Sequence, residues 1–218
     1  VRILGEARPG DPEDARGPHR VLVDVRRRDL HVRRLRVEIL ADRRSAAAVV
    51  RMALRAMIGE TLPKPGTLAI HMPPKEVKLA DGITMHLSAF GRKGEGDMLP
   101  MAGVYNKDFK DKVVVWVHPK GKASLFEKGV LVPAAKTLIE KGFAIVAPDV
   151  YRTGELNSEK PFAVNEGFPG FTFGYNRSIF ANRVHHIHTA IDFASTMLKG
   201  KTIHLVGWEG AGPWVAAA

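Results

Sequence analysis

The sequence contains no cysteine among its 218 residues. This absence excludes disulfides, thiolate metal sites and cysteine nucleophiles. Long apolar runs are missing too: no stretch approaches the roughly 18 consecutive apolar residues of a membrane span, so we expect no membrane partner. The first residues, VRILGEARPGDPEDARG, begin with Val and lack the apolar stretch of a signal peptide. Localisation therefore stays unknown, and this start is compatible with a missing upstream piece.

Acidic residues are outnumbered by Lys and Arg, 23 against 33, which gives a net charge of +10. Residues 1–63 contain 14 Arg, no Lys and nine acids, whereas residues 64–218 contain four Arg, 15 Lys and 14 acids. A surface that tracks phosphates needs clustered cations, usually with stacking aromatics. The one dense group of arginines is Arg26, Arg27, Arg28, Arg33, Arg34 and Arg36. We interpret it as a solvated segment and expect no nucleic-acid partner.

The change from Arg to Lys near residue 63 is the sharpest compositional boundary. We interpret residues 1–63 as an Arg-rich N-terminal segment or linker, and residues 64–218 as the folding domain. Within the first segment, apolar residues alternate with polar ones at 21–25 and at 35–39, which suits two short strands.

One helix is predicted near the end of the N-terminal segment, over residues 45–58 with the sequence SAAAVVRMALRAMI. Ser45 can cap it. Its broad apolar face consists of Val49, Met52, Leu54 and Ala56.

The remaining sequence predicts alternating strands and helices, and an apolar content of 45% is enough for a core. Three near-continuous apolar runs are typical of strands covered on both faces: VVVWVH (113–118), FAIVAP (143–148) and TIHLVG (202–207). Helical patterns separate them, and two further strands, TLAIHM (67–72) and ITMHLSAF (83–90), precede them. This order predicts an α/β fold with a mostly parallel sheet and helices on both faces.

The last apolar strand runs directly into Gly207-Trp208-Glu209-Gly210-Ala211-Gly212 and then into a helical pattern. A strand, a turn of small residues and a helix start form the setting of a nucleophile elbow. The central residue occupies a strained turn with its side chain above the sheet, and its neighbours must be small. Glu209 is the central residue of this turn, and the N–H of Gly210 is a candidate oxyanion donor.

These pieces carry a family resemblance. Residues 113–218 resemble the α/β-hydrolase superfamily, most closely its acetyl-xylan-esterase-like and dienelactone-hydrolase-like members. The matching pieces are VVVWVHPKGKASLF, GFAIVAPDVYRTGE, FGYNRSIFANRVHHIHTAIDFA and LVGWEGAGPWVAAA. The resemblance implies hydrolysis of a small-molecule or carbohydrate ester without a cofactor. It also implies that the turn after the first buried strand supplies an oxyanion N–H, which makes Pro119 and Lys120 oxyanion-hole residues.

The chain departs from the family pattern in two ways. Glu209 stands where the family has Ser, so an acyl-serine route cannot operate there. Epoxide hydrolases and haloalkane dehalogenases of the superfamily place Asp at this position and form an alkyl-enzyme ester. The chain also stops six residues after Gly212, whereas the family's acid and His follow the nucleophile. The resemblance thus implies an apparently truncated domain that needs a missing C-terminal half or a complementing chain.

Three hypotheses follow for the function. The first is an esterase-type hydrolase, active if the full chain supplies the acid and the His. The second is a catalytically silent homologue that binds a ligand such as a carbohydrate ester. The third is a carboxylate-nucleophile hydrolase acting on an epoxide or an alkyl halide.

Other polar residues are weaker candidates for the functional site. His118 ends a strand beside the presumed site, and we expect a structural or oxyanion-loop role rather than that of a base. Asp149 and Arg152 follow the second buried strand and either line the pocket mouth or cap the loop. Ser124 lacks elbow geometry around it. The predicted helix between the second and third apolar strands carries His185, His186 and His188, but nothing at matching spacing provides a third ligand, so we predict no metal site.

Overall fold

A six-stranded sheet organises the part of the chain that the computed structural model describes, namely residues 47–59, 62–64, 66–158, 163, 166–168, 170, 174 and 176–218. The strands are β1 (Leu68–Lys78), β2 (Thr84–Arg92), β3 (Leu99–Tyr105), β4 (Lys112–Val117), β5 (Phe126–Glu127), β6 (Val130–Leu131), β7 (Phe143–Pro148) and β8 (Thr202–Gly207). The helices are α1 (residues 47–58), α2 (Pro133–Glu140), α3 (Ile179–Thr196) and α4 (Gly212–Ala217).

The strand order in the sheet is β1-β2-β3-β7-β4-β8, with β5 and β6 forming a separate two-stranded sheet. Strand β4 pairs in parallel with both β7 and β8, so that Val114 lies opposite Ile145 on one side and His204 on the other. Strands β1, β2 and β3 form an antiparallel extension that joins β7. Strands β2, β4, β7 and β8 therefore share one direction, which confirms the predicted α/β class.

Strand β3 was not among the predicted strands. Its sequence, LPMAGVY, contains Pro100 and Gly103, two residues that normally argue against a strand interior. It is nevertheless fully integrated, because Met101 to Val104 pair with β7 and the carbonyl of Pro100 accepts the N–H of Asp149 at 2.8 Å. Tertiary pairing overrides local propensity here.

The core lies on both faces of the sheet. One layer contains α3 and α4 with Val113, Val115, Val117, Val146 and Ile187. The other contains α2 with Trp116, Ile145, Ala147, Ala135 and Ile139. Alternate residues of β4 thus serve opposite layers, because successive strand side chains point to opposite faces. This arrangement confirms helices on both faces.

The chain divides into two compact units, Val1–Met52 and Ala53–Ala218. The predicted boundary after residue 63 stays a prediction. Ser45, the arginine group and the two short predicted strands lie outside the described residues. On α1 the apolar face is exposed, with Val49 58% and Met52 63% accessible. Among the described residues, no helix combines the length and apolarity needed to cross a bilayer.

Candidate functional site

The elbow after β8 has an unusual backbone. Trp208 is extended, with φ −97° and ψ 149°, and Glu209 follows with φ +48°. A 3-10 turn over Glu209–Ala211 then leads into α4. Residues other than glycine rarely adopt this left-handed conformation, which costs of order 1–3 kcal/mol. The N–H of Trp208 donates to the carbonyl of Val117 at 2.9 Å and fixes the start of the turn to β4.

Close packing at the elbow depends on one of its three glycines. A Cβ at Gly207 would lie 2.9 Å from the carbonyl oxygen of Ala211 and 3.0 Å from Cα of Gly212. Both are backbone atoms that cannot move aside. A Cβ at Gly210 or Gly212 would meet open space. The sequence-based requirement for small flanking residues therefore holds at Gly207 and not at Gly210.

The side chain of Glu209 is 61% exposed, and its Oε1 lies 3.5 Å from Nε2 of His118. The imidazole is nearly buried and accepts the N–H of Lys120 at Nδ1, at 2.9 Å. Because Nδ1 is an acceptor, neutral His118 carries its proton on Nε2, the nitrogen that faces Glu209. A distance of 3.5 Å is too long for a strong hydrogen bond, so the carboxylate stays available to another partner.

The turn after β4 does not offer the predicted oxyanion donors. Pro119 has no backbone N–H. The N–H of Lys120 is already donated to Nδ1 of His118, that of Gly121 to the carbonyl of His118 at 2.8 Å, and that of Lys122 to Oδ1 of Asp149 at 2.7 Å. Pro119 therefore cannot donate and the Lys120 N–H is engaged by His118, and the oxyanion role of this turn stays a prediction. The role of Gly210 stays a prediction.

Asp149 and Arg152 differ in their surroundings. The carboxylate of Asp149 is fully buried and accepts hydrogen bonds from the backbone of both neighbouring turns. Asp149 thus anchors loops and also lines the cleft described below, and its functional role stays a prediction. Arg152 has φ +58° and lies near Arg183, whose pKa is lowered first by burial and then by the charge of Arg152.

An open cleft of about 440 Å³ lies beside the Asp149 anchor. Its apolar walls come from Met85, Leu87, Ala102 and Phe126, and Lys122 and Glu155 contribute charge at one end. Neither Glu209 nor His118 lines it. The cleft is therefore separate from the elbow.

The remaining sequence candidates lie away from the elbow or are buried. Ser124 Oγ accepts the indole N–H of Trp116 at 3.0 Å and donates to the carbonyl of Gly121 at 2.7 Å. His185, His186 and His188 are buried, and His185 pairs with Asp97. Within the described ranges, no group of three or more His, Asp and Glu side chains is arranged to hold a metal ion.

Comparison with known proteins shows similarity in structure but none in sequence families. No family model and no curated protein matches the chain. A provisionally named acetyl xylan esterase from Bacteroides fragilis superposes with a TM-score of 0.54 at 10% identity, over 80% of this chain and 49% of that one. The chain thus spans about half the length of that structure.

Two further solved structures are less similar. A cold-adapted esterase from an Arctic intertidal metagenomic library gives a TM-score of 0.41 at 16% identity, covering 62% of this chain and 54% of its own. A prolyl endopeptidase gives a TM-score of 0.34 at 12% identity, covering 72% of this chain and 27% of its own. The sheet order, the elbow and the first superposition together define an α/β-hydrolase fold.

Proposed function

We propose that the protein is an esterase-type hydrolase in which Glu209 occupies the nucleophile position. One observation carries this proposal: the φ of +48° at Glu209, two residues after the end of a parallel strand, with an exposed carboxylate facing Nε2 of His118. Backbone strain in a residue other than glycine persists only where the surrounding structure enforces it, and it clusters at active sites. Gly207 and the Trp208–Val117 hydrogen bond provide that enforcement.

The carboxylate of Glu209 suits general-base chemistry better than covalent attack, since its attack on an acyl ester would give a mixed anhydride. In the proposed reaction Glu209 takes a proton from water, and the water oxygen attacks the acyl carbon. The carbonyl oxygen becomes an oxyanion, for which Nε2–H of His118 and the N–H of Gly210 are candidate donors. Collapse of the intermediate releases the alcohol, which takes the proton back from Glu209.

The substrate class that we propose is a carboxylic ester of a carbohydrate or another small alcohol. Its support is the sequence resemblance to acetyl-xylan-esterase-like hydrolases and the shared fold with the Bacteroides fragilis protein of that name. A complementing chain or a further part of the protein that adds an acid and a His belongs to the same proposal.

A second candidate is a catalytically silent homologue that binds an ester without cleaving it. The commitment of the Lys120 N–H to His118 favours this alternative, because it removes one expected oxyanion donor. Loss of one such donor costs roughly 100- to 1000-fold in kcat where it has been removed from other enzymes.

The test compares full-length wild-type protein with Glu209→Gln, using p-nitrophenyl acetate and acetylated xylo-oligosaccharides. Glutamine keeps the size of the side chain and removes the base, so kcat should fall by roughly 100-fold or more with little change in KM. The matched control is Glu140→Gln, at the exposed end of α2, which should keep wild-type activity.

Two outcomes would redirect the assignment. Saturable binding of the acetylated oligosaccharide without any turnover would replace the proposal with the silent homologue. A single turnover in oxygen-18 water that labels the Glu209 carboxylate would instead indicate a covalent carboxylate nucleophile, because general-base catalysis places the label in the product acid.

A further inference from the structure

Asp149 joins two turns at the point where β7 leaves the sheet. Its Oδ1 accepts the N–H of Lys122 at 2.7 Å, and its Oδ2 accepts the N–H of Glu155 at 2.9 Å. The ammonium of Lys122 forms a close ion pair with the same carboxylate and lies 2.6 Å from Oε1 of Glu155. The N–H of Asp149 donates to Pro100 in β3, so the residue itself is held by the sheet.

The backbone on both sides is shaped around this carboxylate. Gly121 and Gly154 have φ of +60° and +50°, and a Cβ at either position would collide with the carboxyl group of Asp149. Glycine is therefore required at both positions, for conformation and for space. Both glycines leave room for the same carboxylate, which is fully buried and paired with an ammonium group. The carboxylate is therefore part of the folded core of these turns and not a surface contact.

The contacts continue from this anchor to the candidate active site. The turn that Asp149 holds contains Lys120 and Gly121, whose N–H groups donate to Nδ1 and to the carbonyl of His118. The bond to Nδ1 selects the tautomer in which Nε2 carries the proton, and Nε2 is the atom that faces Glu209.

We propose that Asp149 is a positioning residue for the elbow site. It fixes the turn over residues 118–122, and the turn fixes the ring orientation and the tautomer of His118. The expected effect of Asp149 on kcat rests on the proposed function. The control of His118 by Asp149 does not depend on which reaction Glu209 performs.

The experiment uses Asp149→Asn in full-length protein with ¹⁵N-labelled histidine. The amide keeps one acceptor for Lys122 but loses the charge, and its NH₂ cannot accept the N–H of Glu155. A long-range ¹H–¹⁵N spectrum reports which nitrogen of His118 is protonated, with the signal assigned through His118→Gln. We expect mixed tautomers in the variant and a fall in kcat of roughly 10- to 100-fold with KM changed little.

Asp97→Asn is the matched control, because Asp97 is another carboxylate in a shielded ion pair, contacting His185 and Arg92 rather than the turn. It should lower stability and leave both kcat and the His118 tautomer unchanged. If Asp149→Asn does not fold, Lys122→Met removes the ammonium contacts to Asp149 and Glu155 and keeps the backbone N–H of residue 122. It leaves the buried carboxylate without its counter-charge, so it should loosen the turn and shift the tautomer in the same direction.

A single Nε2–H tautomer in Asp149→Asn or, where that variant does not fold, in Lys122→Met would overturn the inference. Absence of ester hydrolysis in the wild-type protein would refute the proposed function instead, and the tautomer comparison would still decide the role of Asp149.

Discussion

His185 in α3 donates a hydrogen bond from Nε2 to Oδ2 of Asp97 at 2.9 Å, although the two residues are 88 positions apart. The other ring nitrogen lies 3.1 Å from the guanidinium of Arg177 and so acts as an acceptor. Arg177 also contacts Glu95 at 3.2 Å. Both nitrogens of His185 are thus committed to structure. The network ties the turn between β2 and β3 to the beginning of α3.

Removal of the Asp97 charge should destabilise the fold. Burial raises the pKa of Asp97, but hydrogen bonds from His185 and from the N–H of Arg92 outweigh it and lower the pKa to about 2. Asp97→Asn should therefore reduce the free energy of unfolding by about 1–3 kcal/mol, measured by urea denaturation. Asp108→Asn, an exposed carboxylate, is the control and should change it little. Equal losses in the two variants would contradict the structural role of the pair.

Stability should also depend on pH through His186. Burial, followed by the charge of His185, lowers the pKa of His186 from 6.5 to about 4, while Asp97 opposes and Arg92 and Arg177 reinforce the change. Its Nδ1 is buried without a hydrogen-bond partner among the described residues. The unfolded chain takes up the proton first, so stability is highest above the ordinary pKa of 6.5 and falls as the pH drops toward about 4.

The full loss from His186 is about 3 kcal/mol by linkage. His186→Phe should flatten this part of the stability profile, measured by urea denaturation at several pH values between about 7 and 4. The control is His204→Gln, which removes an exposed imidazole on β8 and should leave the slope unchanged. If the stability of His186→Phe depends on pH as steeply as that of the wild-type protein, another group titrates in this range.

The sequence predicted the parts of the fold that local patterns specify. The buried strands β4 and β7 are near-continuous apolar runs, and FAIVAP coincides with β7 in full. The similar run TIHLVG forms β8 at the edge of the sheet, where its residues are only partly buried or exposed, so the prediction of burial on both faces was wrong there. The elbow was also predictable, because a strand that runs into Gly207 and a helix start is a local signal. Strand β3 was missed since Pro100 and Gly103 weaken its pattern, and only pairing with its neighbours stabilises it.

The site was less predictable because its contacts join distant residues. Lys122 and Asp149 are 27 positions apart, and nothing in either segment alone indicates that they meet. The glycines at 121 and 154 could not be interpreted from the sequence alone, because the need for them depends on a carboxylate from another turn. The oxyanion role of the turn after β4 stays a prediction, because Pro119 lacks an N–H and the imidazole of His118 accepts the N–H of Lys120.

Two glycine variants test whether the elbow is tightly packed at Gly207. Gly207→Ala places a methyl group against backbone atoms of Ala211 and Gly212, so it should cost about 1–3 kcal/mol through overpacking. Gly212→Ala is the control, since its Cβ meets open space and its φ of −51° is helical. That variant should be neutral or more stable by up to about 1 kcal/mol. The thermal unfolding of both variants measures these changes in stability. Equal stability of the two variants would contradict tight packing at Gly207.

The last prediction concerns how α4 is held against α3. Cζ of Arg183 lies 4.1 Å from the centroid of the Trp214 ring, and its Nε donates to the carbonyl of Tyr151 at 3.0 Å. The guanidinium thus stacks on the helix that follows the elbow while it holds the chain after β7. A planar cation suits this geometry, whereas the ammonium of lysine cannot stack in the same way.

A double-mutant cycle with Arg183→Lys and Trp214→Leu isolates this contact. The two residues should be coupled by about 0.5–2 kcal/mol in the free energy of unfolding, because a partly desolvated cation over an indole face is attracted by the ring quadrupole. Each single variant should lose stability, and the double variant should lose less than their sum. Strict additivity would show that the ring and the guanidinium only lie near each other, and that α4 is held by its apolar contacts alone.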